Sequence, residues 1–148
     1  MAGLTNLARN YLVDALMRQQ AMVVPAEIWV ALCSTQPTAG AAGTEFTGTG
    51  YGRVQLDPSL TNWSSTQNNT SVSNGTTGTT KNLAMIDYGV AGSNWGLAGY
   101  WEFWDAETGG NRWLWGEITD GNGTPSPRSV VLNDPVSFPI GALSVQFS

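Results

Sequence analysis

Residues 97–117, LAGYWEFWDAETGGNRWLWGE, carry the reading of the fold. At period two, Leu97, Gly99, Trp101 and Phe103 point one way and Ala98, Tyr100, Glu102 and Trp104 the other, which is the alternation of a strand and not of a helix. Asp105 to Asn111 then supplies turn chemistry. An Asp side chain can bond nearby backbone, and Gly109 and Gly110 reach positive φ without a Cβ penalty. A second strand returns through Trp113, Leu114, Trp115 and Ile118, so the stretch predicts a β-hairpin with Asp105, Gly109 and Gly110 as its structural turn. With Trp95 just upstream, five of the chain's seven tryptophans lie in this region.

Both faces of the hairpin carry large rings, whereas a strand of a two-layer β protein ordinarily shows rings to the core and polar groups to water. Each ring can bury ~150–250 Å². The face away from the core therefore needs a second cover, either the chain's own helix or another subunit.

At 148 residues the chain has the size of one domain, large enough to remove about 68–70% of its unfolded surface from water. Only 11% of residues are charged, against about 25% in ordinary soluble domains, and Gly, Thr, Ser and Asn fill the gap. A net charge of −5 with a single Lys81 and scattered Arg argues against nucleic acid as a partner. Cys33, the one cysteine, reads as a small buried hydrophobe. No basic-then-apolar leader opens the chain and no run nears the ~18 apolar residues of a membrane span, so a soluble protein with no membrane partner is expected.

Taken in order, Leu4, Leu7, Ala8, Tyr11, Leu12, Ala15 and Leu16 follow helical spacing on one apolar stripe, predicting an amphipathic helix from about Asn6 to about Gln19 with Thr5 at its cap. The helix belongs to residues 1–22 and a β-sandwich to residues 26–148 of a single domain. Glu27 to Cys33 alternates as a strand, Ser34 to Gly50 reads as a long loop with little structure of its own, and Tyr51 to Asp57 resumes a strand. Residues 58–82 form a Ser/Thr/Asn-rich loop or arm, anchored by Trp63, with one short edge strand expected near Asn69 to Ser73. Further strands are expected at Leu83–Tyr88, Val130–Leu132, Val136–Ile140 and Leu143–Phe147, the last paired into the sheet. The sum is an all-β fold, a β-sandwich or jelly roll of about eight strands with one N-terminal amphipathic α-helix.

Chemistry is sparse. Zero histidine removes the commonest general base and metal ligand together, and one Cys without His cannot build a zinc site. Glu102, Asp105 and Glu107 are the carboxylates close enough in sequence for a glycosidase-like pair, but Glu102 and the turn acids are expected at a solvated rim. No catalytic residue, metal ligand or cofactor is assigned.

With its pieces placed, the chain resembles a family of small tailed-phage virion proteins, often described as tail-fibre or structural proteins. The likeness rests on LVDALMR closing the helix, IWVALCST followed by a Pro-Thr loop, and Glu45 ahead of Gly50-Tyr51-Gly52-Arg53. It extends to Asp105, Ala106, Gly109, Gly110, Asn111 and Gly116 around the hairpin and Phe138 to Leu143 near the end. Two departures fall in loops: Asn133-Asp134 where the family tends to carry Gly-Asp, and a long insert from Ser59 to Thr80. In outline the chain is also similar to jelly-roll cement proteins of phage capsids.

The resemblance implies a non-enzymatic virion component made in the host cytoplasm. A globular pattern of this length leaves no room for a fibre shaft, so the expectation is a capsid cement or decoration protein on the capsid exterior. It would bridge subunits of the major capsid protein and associate with itself as a homo-oligomer. The alternative is a tail-fibre, tail-tip or baseplate module, with host glycan as a partner through Trp29, Trp63 or Trp104. The residues expected at partner contacts are Leu4, Leu7, Tyr11, Trp29, Tyr51, Arg53, Trp63 and Trp104.

Overall fold

The structure, a computed structural model, describes residues 2–147. Among them the order of elements is β1 (Ala2–Leu4), α1 (Asn6–Arg18), β2 (Trp29–Cys33), β3 (Val54–Gln55), β4 (Thr79–Lys81), β5 (Ile86–Val90), β6 (Gly96–Ala98), β7 (Tyr100–Trp104), β8 (Arg112–Glu117), β9 (Arg128–Val130), β10 (Pro135–Phe138) and β11 (Ser144–Gln146). The fold is mostly β with one N-terminal helix, and the described residues form eleven strands where about eight were expected.

The predicted hairpin, β7 and β8, sits at the centre of a five-stranded antiparallel sheet in the order β1-β8-β7-β2-β3. Three antiparallel two-stranded ribbons, β5 with β10, β4 with β11 and β6 with β9, make up the remaining strands. Val30, Leu32, Trp101 and Phe103 from the inner face of the sheet share one core with Ile86, Tyr88, Val130, Val136 and Val145 from the ribbons. Trp101, 1% exposed, contributes roughly 4–6 kcal/mol of transfer free energy at ~25 cal/mol per Å². The Tyr88 hydroxyl, buried with that core, donates to the Val30 carbonyl at 3.0 Å.

Two tryptophans need a glycine across the strand. Trp101 is paired with Gly116 and Trp115 with Gly3, and a Cβ on either glycine would run into the facing indole ring. The register between β7 and β8 shifts between Phe103 and Trp104, leaving Trp113 as the extra residue. This shift brings Arg112 and Trp113 together on the face away from the core, where Arg112 meets Glu102 and Trp113 stacks on Tyr11 at 5.5 Å.

The turn is built as its sequence requires. The Asp105 N–H donates to Asn111 O, the Asn111 backbone and side-chain N–H groups donate to the Asp105 carboxylate, and Gly109 and Gly110 take φ of 63° and 77°. Helix α1 begins at Thr5, whose hydroxyl accepts from Ala8 N and donates to Arg112 O, fixing the helix start to the hairpin. Arg18 in the last turn pairs with Asp14 at 2.8 Å.

Several expectations change. The strand alternation breaks at Gly99: Ala98 is 3% exposed and Leu97 52%, because β6 leaves to pair with β9 while β7 pairs with β2 and β8. Leu4 lies on β1 and not on the helix, and Leu16, assigned to the helix's buried stripe, is 71% exposed. No strand forms at Asn69–Ser73; the chain there is held by side-chain bonds such as Ser65 Oγ to Asn69 O and Gln67 Nε2 to Val72 O, and pairing waits until β4. The strand after Leu83 starts at Ile86, and β9 and β10 end before Val131 and Ile140, both exposed. The chain end is paired as expected, β11 with β4, and Phe147 N donates to Gly78 O. Asn133 has φ of 71°, a conformation in which Asn substitutes for Gly at low cost, so that departure from the family pattern is physically mild.

Candidate functional site

The face of the sheet away from the core is covered by the chain itself, from two directions. Helix α1 lies over β8 through Tyr11 on Trp113. The 34–45 loop folds over β2 and β7, so it is an ordered cover and not a loop without structure: Ser34 N donates to Thr44 O, Cys33 bridges to Glu45, and Phe46 returns to the core at 6% exposure.

Charge pins that cover down. Glu102 is 0% exposed, so it does not stand at a solvated rim. Its Oε1 accepts from Arg112 Nη1 at 2.7 Å and from Gly43 N at 3.0 Å, and its Oε2 accepts from Cys33 Sγ at 3.4 Å. Arg112 Nη2 donates to Thr38 O at 2.6 Å. One buried ion pair thus ties β7, β8 and the loop together. Burial first, and then the Glu102 carboxylate beside it, pushes the Cys33 thiol far up, which keeps it protonated.

A second arginine closes the hairpin end. Arg53 makes a two-point bond to Glu45 through Nε at 2.9 Å and Nη2 at 2.8 Å, and its Nη1 donates to the Ala106 and Gly109 carbonyls. Its guanidinium carbon stands 4.1 Å from the centroid of the Trp104 ring. The Tyr51 hydroxyl donates to Glu45 Oε1 and accepts from Leu32 N, and burial pushes its phenol up. Burial raises the Asp105 carboxyl too, but the bonds it accepts from Asn111 N, Asn111 Nδ2 and Trp113 Nε1 outweigh that and hold it below its ordinary 3.8.

Where cover and sheet meet, an open apolar groove of about 590 Å³ remains. Leu4, Leu12, Met22, Val24, Trp104 and Trp113 are among its walls, and no charged side chain lines it among the described residues. Beside it Val13, Leu16 and Met17 of α1 and Val23 of the following segment stand exposed. Such a surface can bind apolar area and offers no acid or base.

The structure gathers Leu4 and Trp104 in the groove walls, Tyr11 on the back of one of them, and Arg53 and Tyr51 around Glu45 behind Trp104. Trp29 is the register partner of Trp104 and bonds Glu27 through its indole N–H. Trp63 lies elsewhere, tilted against Phe103 at 5.3 Å with its indole N–H on Leu56 O; Leu7 is half-buried on α1. Sequence reasoning missed Val13, Met17 and the 22–24 run as exposed surface, and Glu102 with Arg112 as a buried pair. The signal for the latter was a lone acid inside an aromatic strand, with an arginine on the strand that returns.

Among the described residues no group of His, Cys, Asp and Glu is placed to hold a metal ion, and no helix is long and apolar enough to cross a membrane. No curated protein matches the chain. A family profile described as Podophage GP4 fiber I protein gp80 matches residues 3–146, nearly its whole length. The chain therefore belongs to that family, and it is a structural protein of a phage virion fibre.

Proposed function

We propose that the protein is a non-catalytic joint of the tail fibre, holding its neighbours through apolar contact and carrying out no chemistry of its own. The observation that carries this reading is the charge-free groove with the exposed apolar helix beside it, in a chain of a fibre family. Three carboxylates of the sheet and its cover are engaged: Glu102 with Arg112, Glu45 with Arg53, and Asp105 with its own turn. Repeated neighbours at fixed positions act at high effective concentration, so a modest contact suffices in an assembled fibre.

The sequence pointed first to capsid cement on the major capsid protein; the fibre family supports the tail alternative better. Gold-labelled antibody against the protein, together with copy number by quantitative mass spectrometry of purified virions, tests the choice. Labelling at the tail with a small number of copies per particle is expected. Hundreds of copies spread over the head would restore the cement reading and remove this one.

A further inference from the structure

The cover over the outer face of the sheet leaves a second opening, different in chemistry from the apolar groove. It is a cleft of about 740 Å³ where α1 and the 34–45 loop meet the start of β7 and the end of β8, with β1 at its edge. Register builds its floor. β7 and β8 pair Tyr100 with Glu117 and Glu102 with Trp115, and the alternation of the strands puts all four on the face away from the core. Glu102 is sealed in by Arg112, whereas Tyr100, Trp115 and Glu117 are half-buried and line the cleft. The Trp115 ring reaches over β1, where a Cβ on Gly3 would meet it, and its N–H is buried without a partner, so this residue offers ring area and no bond. Arg9 of α1 and Gln36 of the loop, both exposed, stand at the sides. The polar groups here are ones that the fold does not use. Of the five arginines, Arg18, Arg53, Arg112 and Arg128 bond to the chain through their guanidinium groups, and Arg9 alone has no such bond among the described residues. The Glu117 carboxylate, the Tyr100 hydroxyl and the Gln36 amide have none either, and Arg9 and Glu117 are not paired with each other. One exposed polar side chain without a partner is ordinary; four around one pair of rings make a site.

We propose that this cleft binds a neutral saccharide. Arg9 can only donate hydrogen bonds, Glu117 can only accept them, and Tyr100 and Gln36 do both. A ligand that answers all four must donate and accept around its rim while laying an apolar face on the rings. A pyranose does this, with C–H bonds on its face and hydroxyls at its edge. An anion would meet Glu117 and a cation Arg9, and an apolar ligand would strip water from four polar groups and give them nothing in return. The volume lies within the ~300–1,000 Å³ of small-molecule sites. The rings from which sugar stacking was expected are committed elsewhere: Trp104 carries the Arg53 guanidinium and Trp63 packs on Phe103. The platform falls instead on Tyr100 and Trp115. This site goes beyond the joint proposed above and does not rest on it; in a fibre, repeated copies would raise a weak single-site affinity through avidity.

Saturation-transfer NMR on the full chain tests this, with the methyl glycosides of glucose, galactose, mannose, rhamnose and N-acetylglucosamine as probes. At least one is expected to bind with a dissociation constant on the order of 1 mM, its strongest signals on the C–H groups of one ring face. Glucuronate and glucosamine, the charged counterparts, are expected to bind at least about fivefold more weakly than the neutral sugars. Arg9→Ala, at an exposed position, and Glu117→Gln, which keeps the side-chain shape, are each expected to weaken binding about five- to tenfold with the circular dichroism and thermal transition unchanged. Met22→Glu in the neighbouring groove is expected to leave binding as it is. No response to any neutral glycoside at ~50 mM would overturn the proposal, as would tighter binding of the acid or the amine, or binding indifferent to both Arg9→Ala and Glu117→Gln. These are measurements on purified protein: their failure would sink the saccharide site and leave the fibre joint standing, whereas head labelling in virions would do the reverse.

Discussion

Glu102→Gln is the most informative single change in the scaffold. It keeps the shape and one carbonyl oxygen but removes the charge that answers Arg112, whose side chain is 8% exposed and cannot turn to water without lifting the 34–45 loop. Breaking a buried ion pair from one side costs about 3–5 kcal/mol, a large share of the ~5–15 kcal/mol that hold a domain folded. With an m-value of ~2 kcal/mol per M for urea, the unfolding midpoint should fall by roughly 2 M. Because Gly43 N bonds the same carboxylate, its amide should exchange with solvent far faster in the variant, together with its neighbours in the loop. Glu102→Leu with Arg112→Met should recover much of the lost midpoint, since an apolar pair needs no partner, yet leave Thr38 O and Gly43 N unbonded and the loop still unprotected. A midpoint shift below ~0.5 M for Glu102→Gln, or an undisturbed Gly43 amide, would refute the view that this pair holds the cover down.

Three other outcomes follow from the same geometry. Asp105→Asn should cost about 1–2 kcal/mol at neutral pH by urea titration. Because the folded-state pKa lies below the ordinary 3.8, the carboxylate's contribution is complete above that value and is lost as pH falls through the folded pKa, so the gap between wild type and variant should close in acid. Gly116→Ala should cost about 1–3 kcal/mol or more in thermal melts, because the new Cβ meets the ring of Trp101 in the core, and Trp101→Phe in the same chain should relieve part of it. Cys33, buried and with its thiol pushed up, should be unreactive toward a thiol reagent at pH 8 and label fully once the chain is unfolded in urea.

Much of the architecture could be read from local pattern because its determinants are local. The hairpin showed in alternating rings around a Gly-Gly turn, and α1 in its 3.6-residue period behind a Thr5 cap; the helix falls at Asn6–Arg18, one residue short of the expected end. What escaped depends on residues far apart. Glu102 looked like a rim acid because its partners are 10 residues away in Arg112 and 59 away in Gly43. Gly99 hid the break between β6 and β7, since a residue without a side chain marks neither face of a strand. Leu4 fitted the helical stripe by spacing, although its backbone pairs with Leu114. Leu12 and Leu16 fitted the apolar stripe of α1 by spacing although they stand 36% and 71% exposed, because spacing alone does not say which apolar residue meets the sheet.

The stretch between Asp57 and Lys81 has a consequence for a particle that lives outside cells. It is the longest hydroxyl- and amide-rich segment of the chain, tied by its own side chains and largely open to solvent. Such segments are where digestion ordinarily starts. Here a trypsin-like enzyme finds no Lys or Arg from residue 54 to residue 80, an acid-specific one finds nothing from 58 to 80, and Trp63, the one aromatic residue a chymotrypsin-like enzyme would seek, is packed against Phe103. The absence of charge that makes this arm look unstructured also denies charge-directed proteases a place to cut it.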